Sequence, residues 1–493
     1  MVSASPSRSE RIQGLAVFAA AGFALGLGLI FALERVGAPD GFVEALGPVF
    51  AFVGLCVIGV TNRAPNLPDF LVAERAIPPL FAGLAFAATA AGLAASLLAE
   101  SDVAGAPSWR GVAIGTAFAA LIVAPRWRRE NASSLSDVLA THFPAPPTKV
   151  IFTGVLLVIA MLTAVAGFDL ATNTLVASIG SSRRVAQILV MFALAASVAP
   201  GGLKGLVWSD AACGGGALLI LATGVVLALG KTPEPLAPVT SAWSLAVGAP
   251  GAVTLPAEIA FAFAAAFFFA FAPPAIGVGS AGQARGAGLI GLILLGIGLA
   301  CAAVALPFVG ALAGQSPTAK AFAAVAAWLP ALALARAGVL GAARSVGIRL
   351  VTAYARLAVL SSRRIALIRL GALFAAALCP FAAHLRGFDE ARALYFALAI
   401  GLAFATPSLA LTWIPAASSR SALVALATSL AVAIARVAAQ GAPSSGAELL
   451  IGAGLAGGVG MIVGVAAALF FPRRTRRPAS PRSDPFIDVP LDL

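Results

Sequence analysis

Apolar runs of about 20 residues alternate with short polar links along most of this chain. The runs are Gly14–Leu33, Gly41–Val60, Leu80–Ala99, Gly111–Ala124, Lys149–Gly180, Val185–Ala199 and Ala211–Leu229 in the first half. In the second half come Ala252–Ala272, Gly286–Val309, one run within Lys320–Arg364, Ile365–Ala383, Leu394–Trp413, Ser421–Ala439 and Glu448–Phe471. At about 1.5 Å of rise per residue, such runs are sized to cross a hydrocarbon core as helices. The pattern predicts an all-α polytopic membrane protein with about 14 transmembrane helices. The first run follows a basic flank, so a signal peptide competes with a retained span. Its length, and its ending in Leu33-Glu34-Arg35, favour retention.

The links carry more information than the runs. SVAPGGLKGLVWSD, Ser197–Asp210, is a polar island between two spans. Pro200, Gly201 and Gly202 oppose helix continuation, and Lys204 and Asp210 are costly in hydrocarbon. The chain is therefore expected to surface here, turn and re-enter. Ser133–Thr148 reads as a short interfacial helix closed by Pro144, Pro146 and Pro147. Lys320–Arg364 admits two readings. Either a span runs from Ala331 to Val359 carrying Arg336, Arg344, Arg349 and Arg356, or it covers Ala321–Ala343 and an interfacial helix follows. Asp169 and Asn173 stand midway along an apolar run. Asp169 is a functional candidate, as a proton carrier or a partner of Arg336 or Arg344, or a packing residue bonded to Thr172 or Asn173.

Composition agrees with a membrane protein: of 493 residues, 60% are hydrophobic and only 11% charged. The net charge of +12 would suggest nucleic acid in a soluble chain, but here the basic residues sit at helix ends and in the tail. With both termini cytoplasmic, 21 of the 32 basic residues fall in inner links and tails and eight in outer links. That bias predicts a multi-pass protein of the inner (plasma) membrane, with the Ser197–Asp210 turn facing the cytoplasm. The four cysteines are scattered through apolar runs, so neither a disulfide framework nor a metal site is indicated. No phosphate loop, nucleophile elbow or zinc motif is present, so no enzyme activity and no cofactor are expected.

Several links resemble sodium:solute symporters, most of all the cation–acetate and monocarboxylate branch. GGLKGLVWSD, Gly201–Asp210, resembles that family's cytoplasmic turn, including Trp208 and Asp210. DFLVAERAIPPLFAGLAFAATAAG, Asp69–Gly92, resembles its link and the small-residue helix behind it. SLSDVLATHF, Ser134–Phe143, and the stretch Ile400–Leu426 match further motifs in the same order. The resemblance implies a leucine-transporter-type fold of two inverted five-helix repeats, 79–230 and 252–413, joined by an external loop, 231–251. Two accessory helices would precede them within 1–78, two would follow within 414–471, and 472–493 would be a disordered basic tail.

In that fold the first helix of each repeat is interrupted, and solute and cation bind at the breaks. The breaks are expected in Leu80–Ala99, at its glycines, and at Pro273-Pro274. The resemblance places a sodium site at the carbonyls of Ala88 and Ala91 with the hydroxyl of Ser345, and Thr89 nearby. Most hydroxyl ligands are missing, and Arg344 and Arg349 stand where the family has small or acidic residues, so the cation site is degenerate. Sodium coupling, proton coupling through Asp169 and uncoupled movement all stay open. The expected function is secondary transport of a small organic solute, such as a monocarboxylate; the alternative is a non-transporting sensor or structural partner. The lipid bilayer and the solute are the expected partners.

Overall fold

The computed structural model describes residues 22, 25–104, 107–130, 132–229, 254–313, 316–346, 361–382, 392–441, 443 and 445–472. The amino-terminal tail, most of the first apolar run, the link 231–251, Arg349 and Arg356, and the tail beyond 472 lie outside the described residues. The described residues form helices joined by short links, with no strand among them. The first half comprises α1 (25–35), α2 (Asp40–Thr61), α3 (Leu67–Val72), α4 (Pro79–Ala104), α5 (Trp109–Phe118), α6 (Ala124–Arg129), α7 (Leu135–His142), α8 (Pro146–Ile179), α9 (Arg183–Val198) and α10 (Gly202–Leu229). The second half comprises α11 (Leu255–Ala266), α12 (Ala272–Ile276), α13 (Ala281–Ala313), α14 (Pro317–Arg344), α15 (Ser361–Ala382), α16 (Ala393–Ile400), α17 (Thr406–Leu411), α18 (Ser419–Gln440) and α19 (Gly446–Phe470).

Among the described residues, 11 spans are long and apolar enough to cross a membrane. Three further expected spans have other forms. The α5–α6 rod runs through a π turn at Ala119–Val123, α9 has 16 residues, and α1 begins outside the described residues. A second π turn, Gly401–Ala405, joins α16 to α17, and Thr406 Oγ1 fills its looser spacing by donating to the Gly401 carbonyl at 3.1 Å.

The core is organised around α14. In its apolar window 83% of residues are buried, against 17% for α13 and 22% for α18, which face outward. It packs against α8, α4, α10 and α2. Glycines allow that approach. A Cβ on Gly338 would stand 2.4 Å from the Ala164 nitrogen, and one on Gly167 would stand 2.5 Å from the Ala335 nitrogen. Small-residue faces of this kind are how helices associate where no hydrophobic drive separates protein from lipid.

Two expectations about the links change. Pro146 and Pro147 do not close the helix of Ser133–Thr148; they occupy the first turn of α8, where a missing N–H costs nothing. The helix itself, α7, ends at His142, and Leu135, Ser136, Val138, Leu139 and Ala140 are buried, so it is tucked under the bundle. Of Lys320–Arg364, α14 covers Pro317–Arg344 and helical geometry continues through 345–346; residues 347–360, where the two readings differ, lie outside the described residues.

Candidate functional site

The turn at Gly201–Gly202 forms as expected, but the island is shorter than its polarity suggests. The Gly202 φ is +56°, a left-handed conformation, and a Cβ there would meet the Phe70 carbonyl at 2.5 Å. Gly201 is pressed in the same way on the Asn62 carbonyl, at 2.7 Å. From Gly202 onward the chain is already helical. Lys204 reaches back to Asp69 at 3.0 Å, and Trp208 lies against Phe81 with ring centroids 4.6 Å apart. Asp210 therefore does not mark the surface. It lies two turns inside α10, fully buried, and its Oδ1 accepts from Arg336 Nε at 2.8 Å. Arg336 Nη2 also approaches Oδ1 at 2.8 Å and donates to Cys213 Sγ at 2.8 Å. Both side chains are 0% exposed.

That pairing corrects the expected one for Asp169. This carboxylate meets neither Arg336 nor Arg344; its Oδ1 lies 3.2 Å from Arg183 Nη2, at the start of α9. Nor does it bond Thr172, whose hydroxyl donates to the Phe168 carbonyl at 2.8 Å. Asn173 points away from the bundle and is exposed, so it joins no interior site.

The two helix breaks differ from expectation as well. In the first repeat α4 is unbroken. Gly83 and Gly92 serve as close-approach points: a Cβ on Gly92 would stand 2.3 Å from the Pro330 carbonyl, and one on Gly83 would stand 2.8 Å from Ile290. A lone glycine weakens a helix by only about 1 kcal/mol and does not interrupt it. In the second repeat the break exists but lies before the prolines. α11 stops at Ala266, Phe267 and Phe268 leave helical geometry, a 3-10 turn spans Phe269–Phe271, and Pro273 and Pro274 open α12. Pro273 and Pro274 suit the start of α12, where a missing N–H costs nothing, and they leave the carbonyls of Phe269 and Ala270 without an α-helical partner.

Beside this break lies a narrow cleft of about 40 Å³, between the break, the start of α7 and the end of α14. Ser134, Ser136, Ser345 and Arg344 supply its polar lining; Leu135, Leu156 and Phe269 supply much of the apolar part. A second, smaller cavity of about 10 Å³ shares those three apolar residues and continues toward α16 past Ile159, Phe267 and Phe268. Arg344 is 4% exposed. Its Nη1 donates to the Ser133 carbonyl at 2.8 Å, its Nη2 to the Leu71 carbonyl, and its Nε has no partner. The chemistry on offer is the Arg344 guanidinium, with the Asp137 carboxylate near enough to act on its charge, and the Ser134–Ser136 hydroxyl pair, bonded to each other at 2.8 Å, at one end of an aromatic and aliphatic trough. Neither Arg344 as a clamp nor the phenylalanine break was identified from the sequence, although Phe267–Phe269 ahead of two prolines is the signal that marks them.

The proposed sodium ligands do not converge. Ala88 and Thr89 are buried and Ala91 half-buried, but all three sit in continuous helix, where carbonyls are engaged in the ladder. The Thr89 hydroxyl donates to Ala85 O at 3.0 Å, and the Ser345 hydroxyl to Gly341 O at 2.9 Å. Ser345 is nine residues beyond Arg336 along the chain, about 13 Å along the helix axis. Ala88 instead lies against Gly214, the neighbour of the Cys213 that Arg336 bonds. The residues present do not fit a sodium ion held by Ala88, Ala91 and Ser345.

A sodium-coupled sialic acid symporter in a substrate-bound, outward-open state superposes with a TM-score of 0.69 at 16% identity, over 88% of this chain and 98% of that one. The fold is of the leucine-transporter type. A nucleobase-cation-symport-1 family transporter, Mhp1, in a closed conformation with bromovinylhydantoin bound, superposes at 0.52 with 14% identity, over 83% of this chain and 96% of that one. No family model matches the sequence, and no curated protein matches it. At these identities the structural likeness establishes the leucine-transporter-type fold of a multi-pass membrane protein, and no solute.

Proposed function

We propose that this chain is a secondary transporter of the sodium:solute symporter kind, moving a small monocarboxylate across the plasma membrane by alternating access. The observation that carries the reading is the cleft at the α11–α12 break, with Arg344 and three serine hydroxyls at one end and phenylalanines along the other. A carboxylate would take a charge-assisted bond at Arg344 and the spare hydroxyl of the Ser134–Ser136 pair as the cleft widens, and its aliphatic part the Phe267–Phe269 side. Interrupted helices are where carriers of this architecture bind solute, because freed backbone groups face a cavity there. Both termini are placed in the cytoplasm on the basic-residue bias, so the cleft lies toward the inner face.

The test is uptake of radiolabelled acetate, pyruvate, lactate and, as a neutral control, glucose into vesicles reconstituted with the full chain. Saturable uptake of an acid, competed by the other acids and not by glucose, is the expected result. Absence of uptake for every acid removes the carboxylate reading.

A second reading, a non-transporting symporter-like partner, is favoured by one observation: neither cavity reaches Thr89 or Asp169, and the bundle around them is packed. Binding of an acid without any flux is its signature.

A further inference from the structure

We infer that Arg336 is a resident cation: its guanidinium completes the charge of the interior between α4, α10 and α14, and the chain turns over without binding sodium. The inference rests on the transport reading for its flux consequence, but the binding consequence stands by itself.

Charge balance comes first. Asp210 and Arg336 are both 0% exposed, and one carboxylate faces one guanidinium. The pair is neutral as it stands. A sodium ion added beside it would leave a net buried positive charge next to a guanidinium that has no lower-charge state to retreat to. A sodium ion in the same place without Arg336 would balance Asp210 equally well, so the two cations are alternatives.

Geometry points the same way. Asp210 Oδ2 and Arg336 Nη1 are buried without a hydrogen-bond partner, so the carboxylate has one oxygen committed to arginine and one that would bond a replacement cation. The neighbouring Ser209 hydroxyl is also buried and unpartnered, a further oxygen at the same level of α10. Ala88 comes within reach of this spot through Gly214, where an added Cβ would stand 3.5 Å from the Ala88 Cβ. The glycine contacts of α14 with α4 and α8 draw the backbones together on either side of it. The buried free oxygen that could hold an ion is thus Asp210 Oδ2, beside Arg336 and not beside Ser345.

The experiment uses purified full-length protein in lipid nanodiscs at pH 8.5, with melting temperature followed in increasing sodium chloride against equal choline chloride. The wild-type chain is expected to show no sodium-specific shift. Arg336→Lys, which keeps the charge, is expected to behave alike. Arg336→Gln frees Asp210 and is expected to gain a saturable sodium-specific rise, which the double variant Arg336→Gln/Asp210→Asn loses. A sodium-specific rise in the wild-type chain overturns the inference, as does a folded Arg336→Gln protein indifferent to sodium. The wild-type measurement stands whether or not the variants fold. Vesicle flux forms the second arm: equal flux in sodium and choline supports the inference, and sodium-dependent flux overturns it. Flux absent in every salt strikes at the transport reading alone, because the melting result still decides what Arg336 does.

Discussion

At Arg336 and Asp210 the interior holds two charges that neither residue could keep there alone. Removing one member of a buried pair leaves an uncompensated charge and costs about 3–5 kcal/mol, whereas replacing both with apolar groups of similar volume is often neutral or stabilising. Asp210→Leu or Arg336→Met alone is therefore expected to lower the melting temperature sharply, and Asp210→Leu/Arg336→Met to restore most of it. A double variant as unstable as the sum of the two singles would mean that the pair is not the unit. Arg344 differs, because its hydrogen-bond partners are carbonyls and its buried, unpartnered Nε is the group a ligand would bond in the proposed transport cycle. Arg344→Gln is expected to lower monocarboxylate uptake at least about tenfold, chiefly by raising KM, since a charge-assisted hydrogen bond contributes roughly 1.5–3 kcal/mol. Kinetics of the variant against wild type check this. The sequence made Arg336 visible as a charge in an apolar run but hid its partner. Asp210 reads as part of a turn because glycine, proline and lysine precede it; that α10 starts at Gly202, eight residues earlier, depends on the packing of Phe70 and Asn62 on the two glycines.

Among the helices, spans and their order were legible because 20-residue apolar runs leave few alternatives. Interruptions were not legible at their positions. Glycine and proline both look like breakers in a sequence, yet they act differently: glycine removes a side chain, proline removes a bond one turn upstream. Hence α4 passes unbroken through Gly83 and Gly92, while α11 stops at Ala266 and Pro273 and Pro274 open α12. The glycines are then distinguished by what surrounds them. Gly92→Ala would drive a Cβ to 2.3 Å from the Pro330 carbonyl, and the shift of α4 from α14 is expected to cost about 1–3 kcal/mol. Gly215→Ala, in α10 with nothing within 4 Å, is expected to be neutral or to stabilise by up to about 1 kcal/mol. Thermal unfolding of both variants in one detergent checks the contrast, and equal losses would refute the packing role of Gly92.

Across the whole molecule, one end is knitted by basic residues donating to backbone carbonyls, a pattern the sequence showed only as a charge bias. Arg128 Nε donates to Val278 O at 2.7 Å, holding the exit of α12. Arg369 Nη2 donates to Ala64 O at 2.9 Å and Pro200 O at 3.1 Å, tying the link before α3 to the turn before α10. Arg344 binds the carbonyls of Ser133 and Leu71 at the same end, and Lys204 holds Asp69. The cleft beside Arg344 therefore shares its end of the bundle with the 62–72 link, the turn at 199–202 and the loop after α12. In the proposed orientation, argued from the positive-inside bias, this end faces the cytoplasm. A single cysteine at Ser280, exposed in the loop after α12, and another at Ser182, exposed between α8 and α9 at the opposite end, separate the two orientations. The native thiols serve as background, two of them being buried and two half-buried in spans. With an impermeant maleimide, Ser280→Cys is expected to label in inside-out vesicles and Ser182→Cys in right-side-out vesicles, because each side chain is exposed at its own end of the bundle. The reverse pattern would invert the topology.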